Sequence, residues 1–443
     1  MQNRSAALSL EPSVRVLSTP QRQLAINLFE KLKATSLSGI GVSRETYGTS
    51  ETAAIEVIEG YARKLGLETA WDPACNLRVR LPGNNSALPC VATGSHLDSV
   101  PEGGNFDGAA GVVAGLSVLL DAQERGGMER DLILYALRGE ESAWFGGPCY
   151  FGSRALFGGL TAEDFASPHR SGHKTLEDSM RETGADIELL KSGQAILDPA
   201  DIACWFELHI EQGPVLIARE KPIGLVTGIR GNIRHRRVAC CGEAAHSGAV
   251  PRWLRHDAVL AMSDLLVRID EHWRILLEWG EDLVVTAGVV ETNPAEHAVS
   301  RVPGEVTFAL EYRSQTPKTL ESFGALLRSE CELVGEKRGV TFDLGTSSKT
   351  APAKMSPIIV ELLEDVCNYC NFDYEVMPSG AGHDSSVFAN AGVQSGMIFV
   401  RNDKGSHNPH ESMDFDDFFQ ATEILNTAMQ IAAQDRERSI GHE

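Results

Sequence analysis

The sequence predicts an α/β protein: a mixed, mostly parallel sheet carrying a smaller α+β domain inserted within it. Three observations carry that expectation. Short apolar runs alternate with helical periodicity through the first half of the chain, the order of elements changes after residue 222, and the alternation resumes after residue 348. Strands alternating with helices build parallel sheets, and sites on such sheets gather at the strand C-terminal ends. A chain of 443 residues is also long for a single hydrophobic core, so two domains are expected.

Taken in order, Gln21 to Leu67 is helical, with apolar residues three and four apart in RQLAINLFEKLKA and AAIEVIEGYARKLGL. The preceding MQNRSAALSLEPSVRVLSTP lacks the apolar stretch and small-residue cleavage site of a secretory signal, and reads as the short leader of a cytoplasmic protein. Strand-like runs follow: NLRVRL, CVATGSHLD, DLILYALRG and ACWFELHI, with helical stretches such as GAAGVVAGLSVLLDAQER between them. Residues 161–200 read as a polar helical insertion. Next come GLVTGIRGNIRHRRVACCG as a strand, DAVLAMSDLLVRIDEHWRILL as a helix, LVVTAGVVET and EVTFALEYRS as strands, TLESFGALLRSECELVGEKRG as a helix and VTFDLGT as a strand. That strand–helix–strand–strand–helix–strand order suits a small α+β domain. The expected division is a catalytic domain of residues 1–222 and 349–443 and an inserted domain of residues 223–348.

Composition narrows the function. The chain is 42% hydrophobic and 23% charged, which is ordinary for a globular protein. With 40 basic against 61 acidic residues its formal charge is −21, so it repels phosphate backbones and no nucleic-acid partner is expected. No apolar run reaches the about 20 residues of a membrane helix. Nine scattered cysteines argue against a disulfide framework, and Cys367 and Cys370, spaced Cys-x-x-Cys inside a helical run, read as core thiols.

The chemistry-bearing residues lie at strand ends. In Gly94-Ser95-His96-Leu97-Asp98 the side chains of His96 and Asp98 project from one face of an extended chain, so Asp98 can fix the tautomer of a metal-bound His96. Alone, this pair better describes a loop histidine beside a helix cap, and the glycine spacing and the residues that follow reverse the balance. Asp107 follows a glycine-rich turn and precedes a helix. The strand DLILYALR runs into Glu140-Glu141, two adjacent carboxylates that need positive charge, which would let one bind a metal while the other handles protons. His209 lies at the end of ACWFELHI, and His407 in the turn after SGMIFVR. Together these residues make a mixed nitrogen and oxygen donor set suited to zinc.

The ordered motifs GSHLDSVPEGGNFDGAAGV, RGEES, ELHIEQGPV, AAHSGAVPRWLRHDA, SGAGHDSSVF and SHNPHE resemble those of the dinuclear-zinc amidohydrolases of the hydantoinase/carbamoylase branch. That branch includes N-carbamoyl-L-amino-acid hydrolases, β-ureidopropionase and allantoate amidohydrolase, within the aminoacylase and zinc exopeptidase group. The resemblance spans about residues 20–435. It implies two divalent metal ions per subunit, zinc or alternatively manganese, cobalt or nickel. His96 and His209 would bind one ion, Glu141 and His407 the other, Asp107 would bridge them, Asp98 would support His96, and Glu140 would be the general base. It also implies a cis Asp107–Gly108 peptide and a homodimer through the inserted lid domain, whose His246 stabilises the oxyanion in the partner's site. Arg313 would grip the substrate carboxylate, with Gln212, Gly382 and His383 also on the substrate side.

The departures from the branch pattern are on the substrate side. Ser142-Ala143-Trp144-Phe145 stands where the branch has glycine-serine-arginine-phenylalanine, Ser300 where it has asparagine, and His246-Ser247-Gly248-Ala249-Val250-Pro251 where it has His-Ala-Gly-Thr-Thr-Pro. Trp144 and Ser300 therefore enter the substrate-contact set and favour a bulkier, less polar substrate than allantoate, although Trp144 equally suits core filling. The expected reaction is hydrolysis of an N-carbamoyl L-amino acid or related carboxylate-bearing ureido compound. The alternatives are an N-acyl amino acid amidase and an inactive metal-binding scaffold.

Overall fold

The computed structural model describes residues 17–147 and 149–434, so the expected leader lies, as far as residue 16, outside the described residues. The chain forms two compact units, one running to Thr227 and resuming at Lys354, the other Gly228–Ala353.

The first unit is built on a mixed sheet. Its strands lie in the order Ile223–Ile229, Ser395–Val400, Ile202–Ile210, Cys90–His96, Leu132–Leu137, Leu77–Leu81 and Glu68–Trp71. The four central strands, from Ser395–Val400 to Leu132–Leu137, are parallel to one another, and the flanking strands pair antiparallel. Parallel strands need a crossover between them, and helix Ala109–Arg125 supplies it between Cys90–His96 and Leu132–Leu137. Alternation along each strand divides the core. Leu132, Leu134 and Ala136 face one layer with Cys204, Phe206 and Leu208, while Ile133, Tyr135 and Leu137 face the other with Trp205. On the first layer, helix Ala109–Arg125 is buried from Ala109 to Ala122, as its near-continuous small and apolar sequence dictates, and helix Phe415–Gln434 packs beside it. On the second, Trp205 stacks on Phe388 with ring centroids 3.7 Å apart.

The polar insertion forms short helices whose Phe165, Leu176, Met180 and Ile187 join Phe145, Phe151 and Tyr47 of the flanking chain in a small separate cluster. Two of these helices start at capping boxes, Thr161 with Asp164 and Thr175 with Asp178. Cys367 and Cys370 lie in helix Pro357–Cys370 and pack on the main core.

The second unit has an antiparallel sheet ordered Val284–Glu291, Glu305–Ser314, Gly231–Cys241 and Thr341–Asp343, with Ser347–Thr350 also pairing to Gly231–Cys241. Helices Ala258–Glu278 and Pro317–Arg338 bury Leu265, Phe323 and Leu327 against Val238, Phe308 and Leu310.

The run GLVTGIRGNIRHRRVACCG, expected as one strand, is two. Ile223–Ile229 pairs with Ser395–Val400 and buries Ile223 and Leu225 in the first unit's core, whereas Gly231–Cys241 is an inner strand of the second unit. The units consequently part at 227/228 and 353/354 rather than at 222/223 and 348/349. Among the described residues no helix is long and apolar enough to cross a membrane.

Candidate metal centre

The four parallel strands deliver the polar residues to one rim. His96 is the last residue of its strand, His209 the penultimate of its own, Glu140 and Glu141 follow the end of Leu132–Leu137, and His407 lies in the loop after Ser395–Val400. Asp107 reaches the same place from the turn that opens helix Ala109–Arg125.

Two donor groups share Asp107. His96, Asp107 and His209 form one, and Asp107, Glu141 and His407 the other, with the ligand atoms of each group within 4.8 Å of one another. Nε2 of His96 and of His209 lie 3.5 and 3.2 Å from Asp107 Oδ1 and 3.4 Å from each other. His407 Nε2 lies 3.5 Å from Asp107 Oδ2 and 3.2 Å from Glu141 Oε1. A third group, Glu207 with His209 and His383, is engaged otherwise. The Glu207 carboxylate accepts from the Ser95 hydroxyl and from both the amide and hydroxyl of Ser385.

These residues suit divalent cations. Asp107 Oδ1 is buried without a hydrogen-bond partner, facing two imidazole nitrogens, which is an arrangement a cation satisfies. The remote ring nitrogens are already committed: His96 Nδ1 is 3.2 Å from Asp98 Oδ1 and 3.1 Å from the Asp98 carbonyl, and His209 Nδ1 is 2.9 Å from the Ile210 carbonyl. Such partners fix the tautomer and turn Nε2 toward a metal. Asp98 also accepts the Thr46 hydroxyl at 2.5 Å and the amides of Glu140 and Glu141, each at 3.1 Å.

The electrostatics point the same way. Burial raises the Glu140 carboxyl well above the ordinary range, with His96 opposing and Glu141 reinforcing, and burial raises Glu141 as well. Burial would also raise Asp107, but His209 and His96 outweigh it and hold that carboxyl well below its usual value. Burial opposes protonation of His96, yet Asp107 and Asp98 raise it well above the ordinary imidazole range. The hydrogen bond to Glu141 raises His407 to about 9. So many buried carboxylates around one point require positive charge, and bound cations reverse the local pKa logic.

The Asp107–Gly108 peptide, expected to be cis, is trans, and no cis peptide occurs among the described residues. Gly108 makes the turn instead at φ +66°, a conformation open to glycine at no steric cost, and its N–H donates to His209 Nε2 at 3.1 Å.

The remaining expected site residues divide between the units. In the first, Gln212 donates through Nε2 to Asp107 Oδ2 at 2.9 Å, so it meets the shared carboxylate itself. His383 is buried edge-on to His209, with ring centroids 4.5 Å apart, and Gly382 is glycine because a Cβ there would overlap the Tyr150 hydroxyl. Trp144 donates to the Ser99 carbonyl at 2.7 Å, stacks on His169 and packs against the insertion's core. In the second unit, exposed His246 pairs in register with Arg301, Ser300 accepts from the Ser247 amide at 2.8 Å, and Arg313 pairs with Glu311. Sequence reasoning missed Glu411, whose carboxylate accepts the amides of Phe106 and Asp107 at 2.8 and 3.2 Å and the Ser406 hydroxyl at 2.8 Å.

A mixed sheet that gathers histidines and carboxylates around a shared aspartate at one rim defines a metal-dependent hydrolase. Residues 92–431 match the model of peptidase family M20/M25/M40, and the chain belongs to that family. It is 34% identical over 413 residues to an N-carbamoyl-L-amino-acid amidohydrolase of Paenarthrobacter aurescens, covering 90% of this chain and 95% of that one. It is 33% identical over 364 residues to an allantoate amidohydrolase of Escherichia coli, covering 81% and 85%. Among solved structures, an amidase of the hydantoinase/carbamoylase family from Burkholderia multivorans superposes with a TM-score of 0.83 at 26% identity, covering 94% of this chain and 98% of that one.

Proposed function

We propose that this enzyme hydrolyses the carbamoyl C–N bond of an N-carbamoyl L-amino acid, or of a related ureido compound bearing a carboxylate, with two divalent ions, zinc by preference. The observation that carries the reading is the division of Asp107 between two donor groups with Glu140 beside them: His96 Nε2 lies 3.9 Å from Glu140 Oε2. His96 and His209 would hold one ion, Glu141 and His407 the other, and Asp107 would bridge. Such a pair of ions, when bound, supplies Lewis acidity and brings the pKa of water toward about 7.

The protein's own residues supply the rest. Glu140 is buried and adjacent to the donor groups, so it takes the proton of the attacking water and returns it to the leaving nitrogen. Asp98 holds both the tautomer of His96 and the backbone that presents Glu140 and Glu141. Arg313 suits bidentate capture of the substrate carboxylate, and His246 suits stabilisation of the oxyanion.

The working form is a homodimer through the second unit, which is a lid. Supporting this, Val284–Glu291 is an edge strand of its sheet, with Val289 and Val290 each half exposed, and an unpaired apolar edge invites a second copy. The nine free cysteines suit the reducing cytoplasm.

The deciding experiment offers metal-reconstituted enzyme a panel of N-carbamoyl and N-acyl amino acids and reads ammonia together with free amine. Ammonia and amine in equal amounts support the proposal. A carboxylic acid without ammonia would make the enzyme an N-acyl amidase, and silence on the whole panel would leave a metal-binding scaffold. Sedimentation of the enzyme as an active monomer would overturn the dimer.

A further inference from the structure

The turn Arg138-Gly139-Glu140-Glu141 carries the base and one metal ligand, and its backbone is held in an unusual way. All four consecutive amides donate to buried side chains from elsewhere in the chain. Arg138 N–H reaches Asn76 Oδ1 at 3.0 Å, Gly139 N–H reaches Glu51 Oε1 at 3.0 Å, and the amides of Glu140 and Glu141 reach the two oxygens of Asp98, each at 3.1 Å. Glu51 lies in the first turn of helix Thr49–Lys64 and is fully buried. Its other oxygen accepts the Tyr47 amide at 2.7 Å and Arg138 Nη1 at 2.6 Å. Arg138, itself 1% exposed, continues to the Cys75 carbonyl at 2.7 Å and the Thr52 hydroxyl at 3.0 Å.

We infer that Glu51 is a positioning residue: with Arg138 it clamps the Gly139 amide and so sets where Glu140 and Glu141 point. A buried ion pair is a poor device for stability alone, because well-packed apolar residues of similar volume often replace one without loss. This pair does something an apolar replacement could not. It presents an acceptor to the one amide of the turn that neither Asn76 nor Asp98 takes. Gly139 sits at φ +64°, and a Cβ there would press on the Thr46 methyl at 2.8 Å, so the segment that carries Glu51 lies directly over the turn. Thr46 in turn donates to Asp98, which joins the two carboxylate clamps into one support.

The inference rests on the proposed roles of Glu140 and Glu141. Its test uses the full-length enzyme, Co²⁺ as the metal probe and an N-carbamoyl L-amino acid as substrate. Two variants break the clamp. Glu51→Gln keeps the volume and one acceptor oxygen but turns an NH₂ donor toward either the Gly139 amide or the Tyr47 amide and Arg138, so that the three donors can no longer all be accepted. The double variant Glu51→Met with Arg138→Met leaves neither acceptor nor buried charge behind. Ile55→Val, a packing lesion in the same helix, is the control and should lower Tm only. Both clamp variants should fold, bind the first Co²⁺ as the wild type does, bind the second about 10-fold more weakly and lose about 10–100-fold in kcat, with KM unchanged. Folded clamp variants with native kcat and two native Co²⁺ affinities would overturn the inference, as would an Ile55→Val control that lost kcat and affinity for the second Co²⁺ to the same degree as the clamp variants. Should the double variant fail to fold, Glu51→Gln decides alone. Failure of the underlying reading would look different: the wild type would take up a single Co²⁺, or Glu140→Gln would keep its turnover. The Glu51 variants are then judged on kcat against KM.

Discussion

The rim of the first unit and the turn around His246 in the second each present histidine, yet they are built on opposite plans. At the rim, His96, His209, Asp107, Glu140 and Glu141 are all buried, while His407 is exposed. Asp98, Glu411 and the Ile210 carbonyl hold the backbones or remote ring atoms of the buried five, and Glu51 holds the adjoining Gly139 amide. His246 is exposed on a two-residue strand, where its Nδ1 accepts the Gly248 and Ala249 amides of its own turn at 3.1 and 3.2 Å. The contrast separates two tasks. On the proposed roles, the buried donors that would meet a metal at fixed geometry are supported from several elements at once, because an error of an ångström costs most of the effect. A side chain supported only by its own turn keeps an open nitrogen for a group that arrives later.

The strongest way to break that contrast is to remove its centre. Asp107→Ala takes a donor from both groups at once and leaves two buried imidazoles facing each other. Activity should fall to background and bound metal from two ions per chain to one or none, measured by elemental analysis of the purified variant. Two tightly held ions in this variant would show that Asp107 does not bridge them.

Glu140→Gln is the next largest lesion and should separate binding from chemistry. The amide keeps the volume and leaves all five donors in place, so metal content should stay native while kcat falls about 10²–10⁴-fold, the usual contribution of a general base. A near-native kcat would remove Glu140 from that role.

In the second unit the effects should be smaller and divided. His246→Ala should lower kcat by about 10²-fold, at the lower end for the loss of one oxyanion donor, with metal binding unchanged. Arg313→Ala should act mainly on KM and weaken the preference for substrates bearing a carboxylate. Steady-state kinetics on paired substrates with and without the carboxylate check both, and equal losses in kcat and KM for the two variants would erase the distinction.

Most of the rim was legible in the sequence because strand and function share a signal there. Apolar runs such as CVATGSH and ACWFELHI end in a polar donor, and an α/β sheet brings those ends together. The supporting carboxylates were harder to read. Glu51 stands in the polar first turn of a helix and Glu411 in a polar loop beside His410 and Ser412, so both look like solvated surface, and only their burial reveals them. Glu207 did leave a trace, since a lone carboxylate inside a buried strand needs partners, and it has three. The edge strand Glu68–Trp71 was missed because it is largely exposed, and Tyr374–Ser379, which pairs with Ile223–Ile229, was missed because its sequence lacks a sustained apolar alternation. The split at Gly231 was hidden because the residues on either side are equally strand-like.

The smallest expected effect concerns a buried carboxylate next to the rim that carries no assigned ligand role. Asp384 accepts the Ser153 hydroxyl at 2.6 Å through Oδ1, while its Oδ2 is buried without a partner. Burial, reinforced by Glu207, raises this carboxyl to about 7 from an ordinary 3.8. A carboxyl whose folded pKa lies above its unfolded value stabilises the fold below the unfolded pKa, and that contribution disappears as pH rises through the folded one. Metal-free enzyme should therefore lose stability between about pH 4 and pH 7, and Asp384→Asn, which cannot ionise, should show a shallower decline of Tm over the same window. Metal-loaded enzyme should decline less than metal-free enzyme, because cations nearby favour the ionised form. Thermal unfolding at pH 5 and pH 8, with and without chelator, provides the four values needed. If Asp384→Asn and the wild type declined in parallel without metal, the pH dependence would belong to the other buried carboxylates of the rim, Glu411 first among them, since burial raises it to about 7 as well.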